Sequence, residues 1–102
     1  MGPLAFQIVE RKQESTGVYR LGGRAIMDMD LGDELCYSKG NDLYRVHISR
    51  ILFYNREMPF ISASCACYLF VNTTEVLPVD VTELFIPDPA DKSHVLSSTN
   101  PG

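Results

Sequence analysis

Between Phe60 and Val71 the sequence alternates with a period of two. Ile61, Ala63, Cys65, Cys67, Leu69 and Val71 fall on one face, and Ser62, Ser64, Ala66, Tyr68 and Phe70 on the other. The first set is wholly apolar, so that face must be turned to a core. A strand with one buried face needs partners and a second layer or a closed sheet. The same period recurs elsewhere, while no stretch carries a long amphipathic 3.6-residue pattern. The chain is therefore read as all-β.

Phe6, Ile8 and Glu10 alternate in a first strand that ends near Arg11 to Gln13, and Glu14 to Gly17 is a loop. Val18 to Leu21 restarts a strand, and Gly22-Gly23 interrupts it. Paired glycines in a strand pattern imply a bulge, a tight bend or close approach of another backbone. Met29-Asp30-Leu31-Gly32-Asp33-Glu34-Leu35 alternates again, with Met29 and Leu31 expected on one side and Asp28 and Asp30 in water. Gly32 suits a positive φ, and Asp33 can hold the turn through its own backbone. Glu34 to Tyr37 is a short strand, and Ser38 to Asp42 is a hairpin loop.

Leu43 to Asn55 reads as a long strand with one irregularity. Val46 and Ile48 share a face, and strict alternation would bury Arg50 and expose Ile51. A bulge at Ser49-Arg50 corrects both, and it is predicted there. Arg56 to Pro59 forms the next turn. Asn72 to Glu75 is a corner, Pro78 keeps residues 76–81 from being a central strand, and Thr82 to Pro87 is a last strand.

About six strands with short turns predict a small closed antiparallel β-barrel, because closure removes sheet edges. Its 102 residues suffice for one small domain. Residues 1–87 are assigned to it, and 88–102, rich in Pro, Asp, Ser, Thr and Asn, to a mobile polar tail.

In order, the chain carries Gly23-Arg24, the Met29 to Leu35 turn, a strand with Val46, Ile48 and Ile51, and Cys65-Ala66-Cys67-Tyr68-Leu69. This resembles the translation-protein β-barrel, the second domain of elongation factor Tu and related translational GTPases, over roughly residues 5–87. Residues 29–35 are its most specific piece. The stretch from Arg24 to Gly32 is about one residue short, and Ser62 and Ala66 stand where the family pattern has glycine. No GxxxxGK[ST] loop occurs, so a GTPase domain is not expected. The resemblance implies a rigid barrel used as a binding or spacer module; in the translation factors it helps docking on the ribosome or on aminoacylated tRNA.

The candidate chemistry is weighed against ordinary structural roles. Cys65 and Cys67 lie in an apolar row and lack the second ligand pair of a zinc site, so they are read as core. Asp28, Asp30, Asp33 and Glu34 do not match a calcium loop and are read as turn and surface acids. His47 has no nucleophile placed beside it and is read as a surface strand residue. No metal, cofactor or catalytic set is expected, and the chain is read as not an enzyme. Arg20, Arg24, Arg45, Arg50 and Arg56 come with Tyr19, Tyr44, Phe53 and Tyr54, cations interleaved with aromatics as in RNA-binding barrels. Arg45, Arg50, Arg56 and Tyr54 are the candidate RNA-binding set. The net charge of −4 favours cross-strand ion pairs over RNA. The leading expectation is a non-enzymatic module that binds a protein through Tyr54, Met58, Tyr68 and Phe70; the alternative is an RNA- or ribosome-binding accessory domain. The first six residues hold no charged leader or long apolar run, so no signal peptide or membrane helix is expected. Three cysteines in no regular framework point to a reducing cytoplasm.

Overall fold

Strands β1 (Leu4–Ser15) and β2 (Val18–Ala25) form the first hairpin, with Gly17 at φ +76° in its tip. The computed structural model of the protein describes residues 1–53, 67–89 and 95–96. The pairing of β1 with β2 shifts between Ile8, opposite Gly23, and Glu10, opposite Gly22, so Val9 bulges outward. The strand runs unbroken through both glycines. Their role is close approach: a Cβ on Gly23 would stand 1.9 Å from the Gln7 carbonyl oxygen, which no side chain can tolerate.

The segment 26–33 is a loop, and here one expectation fails. Met29 is buried, but Leu31 is 65% exposed. Asp30 to Asp33 is a tight turn, closed by a hydrogen bond from the Asp33 N–H to the Asp30 carbonyl at 3.2 Å, with Gly32 at φ +85°. A turn reverses the chain, so Leu31 sits at its tip instead of two pleats from Met29. The Gly32 N–H donates to the Ile48 carbonyl, and the Ile48 N–H donates to the Asp33 carbonyl, which clips this loop to the following hairpin.

That hairpin is β3 (Glu34–Lys39) and β4 (Asp42–Phe53), joined by Gly40-Asn41. Gly40 has φ +63° and no other residue type among those described has a positive φ, the sign pattern of a type II′ turn. The register of β4 against β5 (Cys67–Asn72) shifts between Ile48 and Arg50. This is the predicted bulge: Ile48 is buried, Arg50 is exposed, and Ile51 packs against the core. The expected strand residues 60–66 and turn residues 56–59 lie outside the described residues.

After a long corner comes β6 (Glu83–Phe85), and β7 (Val95–Leu96) lies parallel to β4. The strand order is β3-β6-β1-β2-β5-β4, and β4 pairs again with β3. The sheet thus closes into a six-stranded antiparallel barrel, with no α-helix among the described residues. Phe6, Leu21, Leu35, Val46, Leu69 and Leu84 fill its axis with essentially no exposure. Each such side chain contributes about 1.5–3 kcal/mol by leaving water. Leu77, from the corner between β5 and β6, plugs into the same core.

Candidate binding face

The outer face of β2, β5 and β4 collects half-buried aromatic side chains with cationic ones beside them. On β5, Cys67, Leu69 and Val71 point inward as the period of two requires. Tyr68 and Phe70 therefore stand outside, half-buried. On β2, Leu21 is inward, so Arg20 is outward, directly opposite Phe70. On β4 the bulge turns Arg50 outward, also opposite Phe70, and places Leu52 opposite Tyr68.

Two arginines lie on two rings. The Arg20 guanidinium carbon is 5.2 Å from the Tyr68 ring centroid, and that of Arg50 is 5.5 Å from the Phe70 centroid. Each contact at such half-exposed sites is worth about 0.5–1 kcal/mol. Glu14 Oε1 stands 3.7 Å from Arg20 Nε, a loose surface pair. Gly22 makes room for the tyrosine: a Cβ there would meet Tyr68 Cε1 at 2.8 Å. Leu52, 39% exposed, adds an apolar edge.

Arg45 belongs to a different cluster, on the β3 side of β4. Its Nη1 lies 3.3 Å from both Glu34 carboxylate oxygens, and His47 Nε2 lies 3.3 Å from Glu34 Oε2. Among the described residues the buried Arg45 Nε has no hydrogen-bond partner. The structure therefore turns Arg50 toward β5 and Arg45 toward β3. Of the sequence-derived candidates, it brings together Arg20, Arg50, Tyr68 and Phe70. Tyr54, Arg56 and Met58 lie outside the described residues.

Arg20 and Leu52 complete this face, although nothing local in the sequence places them beside Tyr68 and Phe70. Each strand's alternation turns them outward, yet which strands neighbour β5 is a non-local property. Cys67 is buried in the core as expected, and Cys36 is buried as well. Asp33 Oδ2 accepts the Asp30 N–H at 2.8 Å, so that acid serves its turn. No group of three His, Cys, Asp or Glu side chains among the described residues is arranged to hold a metal ion. The chain matches no known protein family, no characterised protein and no solved structure.

Proposed function

We propose that the protein is a non-enzymatic interaction module, a translation-factor-like barrel that binds a protein partner through the Arg20–Tyr68 and Arg50–Phe70 face. The observation that carries this reading is the pair of guanidinium–ring stacks on one outer sheet surface, 5.2 and 5.5 Å from their centroids, beside the exposed Leu52. Tyrosine and arginine dominate the energetics of protein interfaces, because they present large area and several donors at modest entropic cost. A guanidinium stacked on a ring keeps its N–H edges available for carboxylates. The fitting partner is thus a segment with acidic and apolar side chains. The translation-factor likeness draws support from Gly23, packed against Gln7, and Gly32 at φ +85°, the two glycines of the resembling motif.

The alternative, an RNA- or ribosome-binding domain, has the same stacks in its favour. It is weakened by Arg45, whose guanidinium is engaged by Glu34. The test is a capture experiment from cell lysate with the tagged protein and its R20E/R50E variant, with and without ribonuclease. The expected result is a protein that survives ribonuclease and is lost with the double variant. Loss on ribonuclease treatment would favour RNA, and capture indifferent to the variant would remove this face from the proposal.

A further inference from the structure

The barrel closes weakly at one seam. β3 and β6 meet in a single residue pair, Cys36 with Phe85, whereas the neighbouring β1–β6 pairing runs from Leu4 to Gln7. Beyond Cys36 the two strands part. A cleft of about 300 Å³ opens between Tyr37, Ser38 and Lys39 on one side and Asp80, Thr82 and Glu83 on the other.

The main chain along both walls is aimed into that cleft. Lys39 pairs with Asp42 across the two-residue turn, so Lys39 and Tyr37 turn their N–H and C=O groups to β4. Ser38, between them, turns its own toward β6. On β6, the Thr82 carbonyl accepts from the Ile8 N–H, and Ile86 exchanges bonds with Gly2 and Pro3, so the even positions serve β1. Glu83 therefore directs its main-chain groups toward β3. Two strand edges face each other without a ladder between them, and main-chain groups in such a position are a template for an added strand.

The far wall is fixed in advance. The Arg11 guanidinium donates to the Leu77 and Pro78 carbonyls, and the Val81 N–H donates to the Pro78 carbonyl at 3.2 Å. Two exposed carboxylates, Asp80 and Glu83, stand at the cleft against one ammonium, Lys39.

We infer that the β3–β6 seam is a peptide-binding site that accepts a short extended basic segment by strand addition. Main-chain bonds to Ser38 and Glu83 would supply affinity, and Asp80 and Glu83 would select lysine or arginine side chains. This site is separate from the Arg20–Arg50 face and does not rest on that reading.

The probe is a fluorescent pentapeptide, Val-Lys-Val-Lys-Val, with its glutamate counterpart and a copy N-methylated at alternate positions. Anisotropy gives affinity, and amide shifts of the labelled protein give location. The lysine peptide is expected to move the Ser38, Gly40 and Glu83 amides, and to bind about tenfold or more tightly than the glutamate peptide. N-methylation should abolish binding, and D80K/E83K, at exposed positions, should reverse the charge preference. Absence of binding at millimolar peptide, equal binding of the N-methylated copy, or shifts confined to Tyr68 and Phe70 would each overturn the proposal. The R20E/R50E variant should bind the lysine peptide as the parent does, so failure of one site is distinguishable from failure of the other.

Discussion

The Tyr19 hydroxyl accepts a hydrogen bond from the Leu77 N–H at 3.2 Å, inside the protein and between residues far apart in sequence. Tyr19 is a barrel strand residue, and Leu77 is the plug carried by the corner before β6. The Arg11 guanidinium lies 5.1 Å over the Tyr19 ring and donates to the Leu77 carbonyl, so the plug is held at both of its main-chain groups. This arrangement lets a loop residue bury its side chain without orphaning its backbone.

Removing the hydroxyl isolates that bond. Tyr19→Phe keeps the ring and leaves a buried N–H unpaired, which costs about 1–3 kcal/mol. Urea denaturation should show a lower midpoint with an unchanged slope. A midpoint equal to that of the parent would mean that the hydroxyl does not hold the plug.

The two motif glycines should fail differently. Gly23→Ala sets a Cβ 1.9 Å from backbone that cannot yield, and is expected to cost about 3 kcal/mol or more. Gly32 has nothing within 4 Å of its added Cβ, so Gly32→Ala pays only for its φ of +85°, about 1–2 kcal/mol. Thermal unfolding of both variants should keep this order.

The bulge in β4 can be tested by deletion. Ser49 donates its hydroxyl to the Phe70 carbonyl at 3.0 Å on an exposed edge, so Ser49→Ala should change stability by about 1 kcal/mol or less. Deleting Ser49 instead removes the extra residue and leaves Ile48 inward, Arg50 outward and Ile51 inward in strict alternation, so the variant should fold with a regular β4–β5 ladder. A deletion variant that fails to fold by circular dichroism would contradict the shifted register of β4 on β5.

High pH should strain the fold at Tyr37. Burial, then the nearby Tyr44, Glu75 and Tyr19, push its phenol up to about 12 from the ordinary 10. The unfolded chain loses this proton near pH 10 and the folded chain near 12. The stabilisation is complete below pH 10 and fades as pH rises through 12. Tyr37→Phe should flatten the fall of stability over that window, and should remove a late-ionising component from the tyrosinate absorbance of the parent.

The barrel's inner face was legible because alternation is local. Val46, Ile48, Cys67, Leu69 and Val71 are buried where their spacing put them. The bulge was legible because an arginine and an isoleucine stood on the wrong faces together. Leu31 misled, since a four-residue turn and two steps of a strand share the same apolar spacing. The partners on the outer face were not legible. Arg20 meets Tyr68 and Arg50 meets Phe70 because β5 lies between β2 and β4. That order is set by packing across the whole chain.

The position of β1 bears on how the chain can fold as it is made. β1 lies between β2, which follows it directly, and β6, whose Phe85 pairs with Leu4. The first of the barrel's strands to be made is thus among the latest to gain its second neighbour. Closing so long a loop is entropically slow, as it is for all proteins dominated by non-local pairings. During synthesis the Leu4–Gln7 edge stays open to chaperones, or to neighbouring chains, until β6 has emerged.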